Sequence, residues 1–80
     1  MSELRIARER QGLTQTELAK RAGILVSRYN MIEKGHRPAT PEIAQRVAGI
    51  LEVSVDAVFL PGSFTIRELT ATERAEPSNG

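Results

Sequence analysis

The chain has no cysteine and a single histidine, His36, and these two facts bear directly on catalysis and metal binding. A metal ion needs several donors at set spacings, and nothing accompanies His36 that would supply them. No carboxylate pair, nucleophile–base set or glycine-rich phosphate loop stands out either. We therefore expect no enzyme, no catalytic residue, no metal site and no cofactor. The chemistry that remains is charge. Residues 1–37 carry eight basic side chains against four acidic ones, and residues 38–80 carry three against six, within an overall net charge of +1. A basic half beside an acidic half suits a protein that turns one face toward a polyanion, although a run of charge is more often only a solvated surface.

Four of the eleven basic residues sit in one stretch, residues 14–35, where two short amphipathic patterns are joined by a turn. Thr14-x-x-Glu17 reads as a capping box, Leu18, Ala19 and Ala22 as an inward stripe, and Gly23 as the stop, with Ile24 an apolar residue in the turn. A second helix is expected from Leu25 or Val26 to Lys34. Tyr29 and Ile32 face the core, Leu25 or Val26 helps them, and Gly35 provides a left-handed exit. Two such helices in succession are the sequence form of a helix-turn-helix, whose second helix enters the major groove of double-stranded DNA.

The flanks complete a bundle. Ser2 caps a first helix that runs to Gln11, with Leu4 and Ala7 inward, Gly12 ending it and Leu13 folding back. After the loop His36–Ala39, Thr40-Pro41-Glu42 starts a fourth helix with a wide stripe of Ile43, Ala44, Val47, Ile50 and Leu51. Gly49 inside that helix suggests close packing against a neighbour. Ser54 caps a short fifth helix from Val55 to about Leu60, whose Val55, Val58 and Phe59 close the core before Pro61-Gly62. Phe64–Leu69 reads as a short strand or extended arm, and Thr70–Gly80 as disordered. The expected fold is all-α: a compact five-helix bundle with the helix-turn-helix at helices two and three and a short C-terminal extension. Residues 1–62 form the domain and 63–80 a partly extended or disordered arm. No apolar run approaches the ~18 residues of a membrane span, and the N-terminus lacks a signal-like apolar region, so we expect a cytoplasmic protein without membrane contact.

Leu4, Arg8, Gly12-Leu13-Thr14-Gln15, Glu17-Leu18-Ala19, Gly23-Ile24, Ile32-Glu33-Lys34-Gly35, Pro38 and Val53-Ser54-Val55-Asp56 together resemble the lambda-repressor-like helix-turn-helix domain, in its XRE/Cro branch. The resemblance spans residues 4–60. It implies a homodimer that binds double-stranded DNA at an operator. It also implies that Gln15, with Thr16 beside it, meets a phosphate and that Gln15 braces the recognition helix. Val26, Ser27, Asn30 and Met31 would form the reading face, with Arg28 toward the DNA backbone. Asn30 suits adenine, and Val26 and Met31 suit a thymine methyl. Lys34, His36 and Arg37 would meet phosphates, and Arg8 and Glu33 would form a partly buried structural ion pair. Four residues depart from the pattern, Gly49 inside helix four among them. Leu25 stands where a serine or threonine usually caps the recognition helix. Tyr29 replaces a smaller aliphatic residue, which would tilt that helix or place a hydroxyl at the DNA backbone. Glu52 replaces a glycine.

The leading reading is a dimeric, sequence-specific repressor acting on a palindromic operator. One alternative is an antitoxin or restriction-system controller whose arm, residues 63–80, binds a protein partner. Another is a protein-interaction module that has kept the fold and lost DNA binding.

Overall fold

Side-chain caps set where most helices of this chain begin. In the computed structural model, which describes residues 2–67, α1 (Glu3–Arg10) starts where the Ser2 hydroxyl accepts the Arg5 amide at 3.1 Å. α2 (Gln15–Ala22) opens on a reciprocal box. Thr14 Oγ1 accepts the Glu17 amide at 3.0 Å, and the Glu17 carboxylate accepts the Thr14 amide at 2.8 Å. These bonds hold the Glu17 carboxyl below its ordinary range although it lies at the surface. α4 (Pro41–Leu51) begins at Thr40, whose hydroxyl accepts the Ile43 amide at 3.2 Å, with proline in its first turn. α3 (Val26–Glu33) has Leu25 at its cap position and no side-chain capping bond. α5 (Val55–Val58) follows Ser54, whose hydroxyl makes no capping bond.

The helix ends are as locally determined as the starts. At the end of α1, the Gly12 amide donates to Glu9 O (3.0 Å) and the Leu13 amide to Arg8 O (3.2 Å), the paired bonds of a Schellman motif, and Leu13 packs on the core. Gly23 closes α2 at φ +76°, where a side chain would be strained. The Ile24 amide then returns to Ala19 O at 3.0 Å, and the Arg46 guanidinium of α4 donates to Ala22 O at 3.0 Å. The turn between α2 and α3 is therefore tied both to its own helix and across to α4.

α2 packs against α3 and α4, and α5 against α1 and α4. Leu4, Leu18, Tyr29, Ile32, Val47, Leu51, Val58 and Phe59 are the largest fully buried side chains, so every helix contributes to one core. The architecture is the expected all-α five-helix bundle with a helix-turn-helix at α2 and α3.

Four expectations are corrected. Leu25 and Val26 do not help Tyr29 and Ile32 fill the core: they are 75% and 42% exposed. Leu25 has extended backbone (φ −67°, ψ 143°), so it falls off the helical stripe that repeats every three to four residues. Gly49 packs against nothing, because a Cβ built there meets no atom within 4 Å. α5 stops at Val58, short of Leu60, because Phe59 turns extended and bridges antiparallel to Ile66. That bridge changes the reading of the segment after Gly62. Ile66 is buried in the core, and Leu60 N donates to Thr65 O and Arg67 N to Val58 O, each at 2.8 Å. Ala39 N reaches Phe64 O and Glu3 N reaches Arg67 O, each at 2.9 Å. Residues 64–67 thus pack on the domain rather than leaving it as an arm. Glu68, Leu69 and the expected disordered stretch Thr70–Gly80 lie outside the described residues.

Candidate nucleic-acid interface

The orientation of α3 is held by a buried polar network centred on Glu33. Arg8 of α1 grips the Glu33 carboxylate with two nitrogens, Nε at 2.8 Å and Nη2 at 3.1 Å, and its third, Nη1, donates to Leu13 O at 2.7 Å. The Tyr29 hydroxyl donates to Glu33 Oε2 at 2.5 Å, and Gln15 Nε2 of α2 donates to Oε1 at 3.0 Å. Gln15 is itself an acceptor: Asn30 Nδ2 donates to its Oε1 at 3.0 Å. Three helices are therefore joined through one carboxylate, and every bond runs from a donor that the fold has already placed.

Burial alone would push the Glu33 carboxyl up. The donors from Arg8, Tyr29 and Gln15 outweigh it, so the group is held below the ordinary carboxylate range and stays charged. The same contacts raise the Arg8 guanidinium, chiefly through its hydrogen bond to Glu33. Burial, then the bond to Glu33, pushes the Tyr29 phenol up, so it remains a donor.

The network consumes the inner side of α3 and leaves its outer side to solvent. Val26, Ser27 and Arg28 are exposed and Asn30 and Met31 half-buried, with Lys34, His36 and Arg37 exposed just beyond the helix. Two concavities organise these residues. An open groove where the end of α1 meets the start of α2 and the end of α3 brings together Thr14, Gln15, Thr16, Lys34 and His36. A smaller hollow along α3 is lined by Ser27, Arg28, Met31 and Arg37. The amides of Gln15 and Thr16 belong to the first turn of α2, where no helical carbonyl can reach them and the helix dipole favours an anion. Arg28, Lys34 and Arg37 form no ion pair among the described residues, whereas Arg5, Arg8 and Arg46 each do.

A family model described as Helix-turn-helix matches residues 4–58, most of the chain. The protein belongs to the helix-turn-helix family. No curated protein and no solved structure matches the chain. Membership points to DNA binding and regulation of transcription as the broad function of this helix-turn-helix protein.

Placement of the expected site residues is uneven. Gln15 of α2 hydrogen-bonds Glu33 at the end of α3, and Arg8 and Glu33 form a buried pair. Asn30 is less free than its assignment to adenine requires, because its amide nitrogen is engaged by Gln15. The Tyr29 hydroxyl does not reach toward the DNA backbone: the residue is fully buried and its oxygen donates to Glu33. Spacing alone held the clue, since positions 29 and 33 lie one turn apart on the same helix face. Leu25 was expected as a missing cap and as an aid to the core, yet it is the most exposed large apolar side chain among the described residues.

Proposed function

We propose that this protein is a dimeric, sequence-specific DNA-binding regulator of the XRE/Cro type, acting as a cytoplasmic repressor on a palindromic operator. The observation that carries the reading is the clamp on α3. Arg8, Gln15, Tyr29 and Glu33 fix the helix from behind while its outer side stays open, flanked by Arg28, Lys34 and Arg37, which form no ion pair among the described residues. A rigid helix with an open outer face between cations has the form of a major-groove reader. In this reading Gln15 and Thr16 at the start of α2, with Lys34 and His36 across the groove, set the register on phosphates, and residues 26–31 meet base edges. A two-fold dimer would place half-sites about 34 Å apart or a multiple of that.

Selection of bound sequences from a random duplex pool tests this directly. The expected result is a palindromic consensus whose affinity falls steeply with salt, with a log–log slope of about 0.9 per phosphate neutralised. No enrichment, or binding indifferent to salt, would defeat it. The partner-arm alternative has less support, since Phe64 and Ile66 pack on the domain's own core.

A further inference from the structure

Leucine is a poor helix N-cap, and an exposed leucine gains nothing from burial in the free protein. Leu25 has both defects at once: it caps α3 without a side-chain bond and is 75% exposed. Its neighbour Val26 is 42% exposed, so two of the three exposed large apolar side chains among the described residues stand together at the start of α3. A residue that breaks a local rule without any gain inside the fold marks a surface used by something else.

What occupies that surface is set by its position. The N-terminal end of the second helix of a helix-turn-helix is the end that meets base edges. Among base edges in the major groove, thymine alone offers an apolar group, its C5-methyl, beside the O4 acceptor. The rest of the outer side of α3 supports the same target. Met31 is half-buried on the same helix, Ser27 is exposed, and Arg28 is the only basic residue within α3. Asn30, the residue best suited to adenine, is held by Gln15. The helix start therefore presents methyl groups and a hydroxyl, which match a methyl beside an oxygen.

Resting on the DNA-binding reading above, we propose that Leu25 is a specificity-determining residue that, with Val26, recognises thymine through its C5-methyl group at the end of α3 that enters the groove.

The test replaces thymine by deoxyuridine, which removes the methyl and leaves the Watson–Crick and O4 chemistry unchanged. The duplex selected from the random pool is resynthesised with each thymine changed singly to deoxyuridine, and binding to the full chain is measured by fluorescence anisotropy. At least one thymine per half-site should lose about fourfold in affinity on losing its methyl, the value of one buried methylene-sized group. Leu25→Ser supplies the protein side. Serine restores the missing cap in backbone already suited to it, so Tm should rise by roughly 4–8 °C. The same variant should bind the thymine and deoxyuridine duplexes equally at that position. Wild-type binding equal for every deoxyuridine duplex overturns the proposal and leaves the DNA-binding reading standing. A discrimination that survives Leu25→Ser overturns the role of Leu25. Failure to select any duplex overturns both readings together.

Discussion

Glu33→Ala probes the clamp on α3 most directly. The substitution removes the acceptor of four donated hydrogen bonds, two from Arg8 and one each from Tyr29 and Gln15. Gln15 is half-buried and can turn toward water. Arg8 cannot, because its side chain is 11% exposed and retains only its bond to Leu13 O. Tyr29 is fully buried, and its hydroxyl is left without a partner. Orphaning one member of a buried ion pair costs about 3–5 kcal/mol. A domain of this size has about 3–5 kcal/mol in total, so the variant should be largely unfolded near room temperature. If part of the cost is relieved by relaxation, the melt should still fall by more than about 12 °C, at about 4–8 °C per kcal/mol. Far-UV circular dichroism melts and urea titration read this out. A shift under about 4 °C would refute the reasoning. The paired variant Arg8→Met/Glu33→Leu separates mechanism from mere crowding. Replacing both charges with apolar groups of similar reach should recover much of the loss, because the damage comes from the unpaired guanidinium.

The same carboxylate sets an acid limit. Its pKa in the folded protein lies below its unfolded value of about 4.3, so its contribution is fully present above that value. It is lost as pH falls through the folded pKa. Urea midpoints measured from pH 7 to pH 3 should therefore drop at the acid end in the wild type. Glu33→Gln, less stable at neutral pH, should show a shallower drop.

Three further changes have outcomes set by the structure. Gly49→Ala should stabilise by roughly 0.5–1 kcal/mol in urea denaturation, since the position is helical and exposed and an added methyl meets no atom within 4 Å. Glu52→Gly should raise Tm by a few degrees, because Glu52 holds the left-handed exit of α4 at φ +61°, which costs a non-glycine residue about 1 kcal/mol. Ile66→Ala should cost about 2–4 kcal/mol in urea midpoints, as for other buried isoleucines. A loss under about 1 kcal/mol would mean that Ile66 is not part of the core.

The scaffold was legible because its signals are local. A capping box, a proline in a first turn and the left-handed exits at Gly12, Gly23 and Gly35 each act within four residues, and the structure places helix boundaries beside all of them. What was not legible depends on partners distant in the chain. Ile66 enters the core only because Phe59 leaves α5 to bridge it. Arg46 reaches Ala22 O only because the fold lays α4 against α2. Tyr29 was ambiguous for a related reason: periodicity placed its ring inward but did not say where the hydroxyl would find an acceptor.

The division between what holds α3 and what α3 offers also decides how binding data must be read. Arg8, Gln15, Tyr29 and Glu33 act on the helix from its inner side, so weakening them changes its angle without changing any group presented outward. In the proposed function such variants, assayed below their melts, should weaken binding to the selected operator and erode the discrimination at every base together. A change at Leu25 alters one outward group on a helix whose clamp is intact, so its effect should fall on one base and spare the rest. Asn30 belongs to both sets, since its amide nitrogen is tied to Gln15 while the residue is half-exposed. Asn30→Ala should therefore combine a local loss at one position with a mild, uniform one, and a purely local effect would show that the Gln15 contact contributes nothing to aiming the helix.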